Sequence, residues 1–142
     1  MKNENDKTQI EKIDESNRNY KYAYNSKNIK FSWLGNWLEK ESLIFKNETK
    51  NKISQKPNFK RGEIIKVDFG INIGSELSNI HFAIVLNSDD NNSVDNITVL
   101  PLTSKPGYKR LHLGNLLTAF INDKKYSKES YALITQITTI SK

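Results

Sequence analysis

Residues 61–104 read RGEIIKVDFGINIGSELSNIHFAIVLNSDDNNSVDNITVLPLTS. Ile65, Val67 and Phe69 alternate with Lys66 and Asp68, the period-two pattern of a half-buried strand. A glycine-bearing loop follows, delivers Gly74-Ser75-Glu76 and ends at His81. Phe82 to Leu86 is a continuous apolar run, the pattern of a central strand. Asn91-Asn92-Ser93 is turn chemistry, and Ile97 to Leu102 is a third strand that ends in Thr103-Ser104. Pro101 points to an edge or a bulge there, because proline has no N–H for a ladder. This order sets small polar groups and one titratable ring at the ends of neighbouring strands. It is the layout of a site able to hold a phosphate and move a proton.

Downstream, Lys109 to Leu113 alternates again and predicts a fourth strand. Lys105-Pro106-Gly107 is the turn before it, and Leu116 to Phe120 reads as a helical turn or a short strand. Tyr131 to Ile140, rich in Thr and Ile, predicts a fifth strand. Short strands at this spacing predict a small, strongly bent sheet or barrel. No internal repeat is visible.

Upstream, the chain divides near Lys56–Asn58. The first 28 residues are dominated by Asn, Lys, Glu and Asp, so they bury little and are expected to be disordered or a frayed helix. Trp33 and Trp37 stand four apart, as do Leu34 and Leu38, and Phe45 falls near the same side. That spacing predicts an amphipathic helix near residues 31–46, with Ser32 as its N-cap. Gly35 weakens it by roughly 1 kcal/mol relative to Ala. Lys46 to Lys56 reads as a linker closed by Pro57. The expected organisation is a polar extension over residues 1–57 and a barrel over 58–142.

Composition narrows the chemistry. At 142 residues the chain holds at most one full domain with an appendage; it carries a net charge of +6, and 36% hydrophobic residues is low for a compact domain, so part of it is expected to be loose or extended. Mean hydropathy is −0.68 and the isoelectric point about 9.4. A basic balance favours polyanionic partners, RNA and DNA among them. Cysteine is absent, which excludes disulfides, thiol catalysis and cysteine-based zinc sites; two isolated histidines offer no zinc site either. No apolar run approaches the ~20 residues of a membrane span, and the N-terminus has no signal-peptide core. A cytoplasmic protein without a cofactor is expected.

RGEIIKVDFG, NIGSE, VLPLTS and LITQITTI together resemble the MazF/PemK/Kid toxins of type II toxin–antitoxin systems, over roughly Phe59 to Lys142. The resemblance implies a mainly β (α+β) fold, an SH3-like small barrel of the CcdB/PemK/MazF type, here with a helical N-terminal extension. It implies a homodimeric, metal-independent endoribonuclease that cuts single-stranded RNA and is blocked by a cognate antitoxin. Residue by residue, Gly74, Ser75 and Glu76 match the loop that covers the RNA. Thr103 and Ser104 match the hydroxyl pair that holds the scissile phosphate, and Gln136 matches a glutamine on the last strand.

Several positions depart from the family pattern. His81 stands where the family has its catalytic arginine, and Phe82 where proline is usual. Thr135 replaces an acidic residue and Thr138 an arginine. The C-terminal helix of many members has no counterpart before Lys142. Arginine clamps phosphate with a permanent charge, whereas histidine is the better proton carrier. His81 is therefore a candidate base or acid, with Thr103 and Ser104 beside it, and Lys109 and Arg110 are candidates for the missing charge. The alternative is a catalytically silent barrel that binds nucleic acid or a protein partner, for example as a mobile-element inhibitor or regulator. His112, inside an alternating strand, reads as structural, and Trp33 and Trp37 as packing residues. The enzymatic reading requires that His81, Thr103 and Ser104 share one basic, open hollow.

Overall fold

The computed structural model describes residues 7–50, 56–121 and 124–142, and the chain divides into two compact units, Met1–Lys52 and Ile53–Lys142. The first unit is helical: α1 (Gln9–Asn25), a 3-10 turn (Ile29–Phe31) and α2 (Leu34–Glu48). The described part of the N-terminal stretch is thus an α-helix, although none of its residues is buried. What starts it is local. The Thr8 side chain accepts from the Glu11 N–H at 3.2 Å and the Glu11 carboxylate accepts from the Thr8 N–H at 2.7 Å. This reciprocal capping box satisfies two N–H groups that a helix end leaves unpaired. Ser32 does not cap α2; its hydroxyl donates to the Ile29 carbonyl at 2.8 Å and closes the preceding turn. Trp33 occupies the cap position without a side-chain hydrogen bond, and Leu34 is the buried residue of α2. Residues 51–55 of the expected linker lie outside the described residues.

The second unit has the expected mainly β architecture, with six antiparallel strands in one sheet among its described residues: β1 (Ile64–Asp68), β2 (Ile80–Val85), β3 (Asn96–Thr103), β4 (Leu111–Ile121), β5 (Lys124–Ala132) and β6 (Thr138–Ser141). The strand order is β1-β2-β3-β5-β4, and β6 also pairs with β3. The single fifth strand expected over 131–140 is instead the end of β5, a 3-10 turn at Ile134–Gln136, and β6. Leu116–Phe120 lies within β4.

β3 is the hub, not an edge. One side of it meets β2 from Val99 to Pro101. The other side meets β6 from Asn96 to Val99, then β5 at Leu102 and Thr103. Pro101 sits where that partner changes. Its carbonyl accepts from the Leu133 N–H at 2.9 Å. In an antiparallel strand a residue's N–H and C=O point the same way. The N–H that proline lacks would therefore face the gap between β6 and β5, where no ladder bond is lost.

Val67, Ala83, Val85, Ile97 and Val99 form the buried core, with Phe59, Ile65, Phe69 and Ile140 packed against it. Alternation decides which side chains enter. Ala83 and Val85 are fully buried while Phe82, one residue before Ala83 and so on the opposite face, is 43% exposed. An ion pair seals one end of the sheet. Lys142 Nζ lies 2.7 Å from Asp90 Oδ1 with both side chains shut off from solvent. Asp90 Oδ2 also accepts from the Phe59 N–H at 2.8 Å, and Lys56 pairs with Asp95 nearby. The Lys142 hydrogen bond, aided by the Phe59 N–H, holds the Asp90 carboxyl below its ordinary range.

Candidate active site

His81 stands in β2 opposite Val67 of β1. Its ring meets the Phe69 ring edge-on, with centroids 6.4 Å apart. Nδ1 lies 3.3 Å from the Leu102 carbonyl and Nε2 3.1 Å from the Ser78 carbonyl. Both neighbours are acceptors. A neutral imidazole has one N–H and donates to one of them; only the doubly protonated ring donates to both.

The ring therefore ties β3 to the loop between β1 and β2. That loop has a narrow neck, where the Asn79 N–H donates to the Gly70 carbonyl at 2.6 Å and the Phe69 N–H to the Asn79 carbonyl at 3.0 Å. Gly70 and Asn79 both take left-handed backbone there, φ 71° each. Glycine and asparagine are the residues that tolerate it. Asn72 fills the loop: its side-chain amide donates to the carbonyls of Phe69 at 2.9 Å and Leu77 at 2.8 Å.

His81, Thr103 and Ser104 line one cleft of about 270 Å³. Lys105 and, from β5, Lys128, Glu129 and the buried Ser130 complete its polar lining. Among the described residues, two lysines and one carboxylate thus line a space open to solvent. Thr103 Oγ1 accepts from the Lys105 N–H at 3.3 Å, a local turn that holds the hydroxyl at the strand end and leaves its proton to donate.

The other sequence candidates lie elsewhere. Glu76 and Gln136 line a second groove of about 620 Å³, together with Thr135 and Thr138. Gln136 Oε1 accepts from the Leu77 N–H at 3.4 Å, so this side chain braces the loop. Ser75 is exposed in that loop. Arg110 turns back on its own turn and donates from Nη1 to the carbonyls of Lys105 at 2.9 Å and Pro106 at 3.3 Å. Gly107 makes room for it, since a Cβ there would come within 3.0 Å of Arg110 Nε. Lys109 has left-handed backbone, φ 54°, and its ammonium lies 5.3 Å from the centre of the Tyr108 ring. Neither basic residue lines the cleft.

The family model for the PemK-like, MazF-like toxin of type II toxin–antitoxin systems matches residues 60–142, more than half of the chain. The chain belongs to this toxin family. The match coincides with the sheet and begins just before β1. No curated protein matches this toxin. Among the described residues of the toxin, no helix is long and apolar enough to cross a membrane.

Sequence reading missed Lys128, Glu129 and Asn72. The first two lie in β5, whose stretch KKYSKESYA has no apolar alternation to announce a strand. His112 and Tyr131 face each other across β4 and β5, with ring centroids 4.9 Å apart. Glu129 joins them: Tyr131 donates its O–H to Oε2 at 2.9 Å, and His112 Nε2 lies 3.9 Å from Oε1. The Glu129 hydrogen bond raises the Tyr131 phenol above its ordinary range.

Proposed function

We propose that this toxin is an endoribonuclease that cuts single-stranded RNA, without a metal ion, by attack of a 2′-hydroxyl on the adjacent phosphate. We further propose that it acts in the cytoplasm as a homodimer and that a cognate antitoxin silences it. The cleft that gathers His81, Thr103, Ser104, Lys105 and Lys128 supports the reaction. Hydroxyl donors from Thr103 and Ser104 and the two ammonium groups suit a phosphate whose charge grows in the transition state. A protonated His81 suits the leaving 5′-oxygen as proton donor once one of its N–H groups exchanges its backbone carbonyl for that oxygen. Within this reading, Ser75, Glu76 and Gln136 act beyond the cleft, on the RNA that runs past the loop. Lys109 and Arg110 serve the turn after Thr103.

The test is expression and cleavage together. The toxin should arrest growth, a small acidic protein encoded beside it should relieve the arrest, and chelator-treated toxin should cut single-stranded RNA. His81→Ala should lower the rate by about 10²–10⁴-fold, the usual loss for a general acid or base.

One observation favours a second reading. Both ring nitrogens of His81 already face backbone carbonyls, as a purely structural histidine's would. In that case the toxin fold binds RNA or a protein partner without cutting. Binding that survives both His81→Ala and Thr103→Ala, with no cleavage by the parent protein, would establish it.

A further inference from the structure

The ribonuclease reading leaves one group unassigned. Attack by a 2′-hydroxyl needs a base to accept its proton. Thr135, next to Gln136, is a neutral hydroxyl and lines the other groove. His81 has both nitrogens against backbone carbonyl oxygens, so neither presents a lone pair to the 2′-hydroxyl. Lysines and aliphatic hydroxyls are poor bases at neutral pH. Among the described residues lining the cleft, one carboxylate is present, Glu129.

We propose that Glu129 is the catalytic base of this site, delivered from β5 to the opposite side of the cleft from His81. The assignment rests on the ribonuclease reading above. The geometry around the carboxylate gives its two oxygens different work. Oε2 is held by the Tyr131 O–H at 2.9 Å. Oε1 has the His112 Nε2 at 3.9 Å, beyond hydrogen-bond reach, and so keeps its capacity to accept a proton. The buried Ser130 and the β3–β5 pairing at Thr103 and Tyr131 fix the strand on which Glu129 stands.

The step balances without any other reactant. The 2′-oxygen forms a bond to phosphorus and its proton passes to Glu129 Oε1. The bond from phosphorus to the 5′-oxygen breaks, the electron pair leaves with that oxygen, and His81 supplies its proton. The products are a 2′,3′-cyclic phosphate and a 5′-hydroxyl. Solvent then returns one proton to His81 and removes one from Glu129, with His112 next to the carboxylate to assist.

A leaving-group substitution tests this on the full-length toxin. The cut site is first mapped with the parent protein on a mixed-sequence RNA. Two oligonucleotides are then compared, one normal and one with sulfur in place of the scissile 5′-oxygen. A sulfur leaving group departs without a proton, so it relieves loss of an acid but not loss of a base. Glu129→Gln should slow both substrates by about 10²–10⁴-fold. Its affinity for an oligonucleotide lacking the scissile 2′-hydroxyl should stay within about twofold of the parent's, and Glu129→Asp should recover part of the rate. His81→Ala should be slow on the normal RNA and restored on the sulfur substrate. If the parent cuts RNA and Glu129→Gln cuts it equally well, Glu129 is not the base and the ribonuclease reading stands. If sulfur restores Glu129→Gln, or its loss of rate equals a loss of affinity, the assignment is also overturned. If the parent cuts no RNA, both fall together.

Discussion

The Nδ1 atom of His81 lies 3.3 Å from the carbonyl oxygen of Leu102, so the imidazole of β2 is tied to the backbone one residue before Thr103. The same ring reaches the Ser78 carbonyl, and one side chain thereby joins strand, loop and cleft. His81→Ala should cost stability as well as rate. A neutral ring donates one hydrogen bond and a protonated ring two; at about 0.5–1.5 kcal/mol each, the loss is roughly 0.5–3 kcal/mol in urea unfolding. An unchanged midpoint would mean that the ring does not hold the loop.

Gln136 braces the same loop from the other side, through Oε1 and the Leu77 N–H. Gln136→Ala should speed hydrogen exchange at Leu77 while leaving the core amides of β2 and β3 protected. Exchange at Leu77 equal to the parent's would remove this bracing role.

Asp90 ties the last residue to the loop between β2 and β3. Its carboxyl is depressed in the folded protein by Lys142 and the Phe59 N–H, from an ordinary value of 3.8. A depressed carboxyl stabilises the fold above its unfolded value, and that contribution disappears as pH falls through the folded value. Asp95, lowered by Lys56, acts in the same direction. The toxin should therefore lose stability as the pH drops below about 4. Asp90→Asn should be less stable at neutral pH and should show a shallower loss in acid. Thermal melts across that range read the slope, and equal slopes for both proteins would refute the assignment.

Ile97 is among the largest side chains wholly removed from solvent. Ile97→Ala should destabilise the sheet unit by about 2–5 kcal/mol through lost transfer energy and the cavity left behind. A loss under about 1 kcal/mol would mean that the core closes over the gap.

Much of the sheet was legible in the chain because its first three strands are written in apolar residues. Val67, Ala83, Val85, Ile97 and Val99 lie on strands that the pattern places directly, and they make the core. β5 was not legible, since six of the nine residues of Lys124–Ala132 are lysine, serine or glutamate and the strand is secured by pairing with β4. The turn at Ile134–Gln136 was hidden for the opposite reason: Thr and Ile surround it and suggest unbroken strand. Pro101 was read through the rule that proline belongs at edges. A hub strand whose partner changes at that residue satisfies the same physics from the middle of the sheet. The N-terminal helix was underestimated because its stability signal is a capping box, Thr8 with Glu11, rather than an apolar face.

At the site, residue types were legible and their partners were not. The strand ends do carry His81 and Thr103-Ser104 into one cleft. That Arg110 would fold onto the carbonyls of its own turn depends on Gly107 and a tight backbone, which no spacing rule reveals. Lys128 and Glu129 reach the cleft only because an unrecognised strand crosses behind it.

The most direct test is the chemistry of the RNA ends. Chelator-treated toxin incubated with end-labelled single-stranded RNA should leave 2′,3′-cyclic phosphate and 5′-hydroxyl termini, and Thr103→Ala should slow their appearance by about 10²-fold or more. RNA of mixed sequence that stays intact with the parent protein, or cleavage that Thr103→Ala and His81→Ala leave untouched, would contradict the cleft as a site of RNA scission.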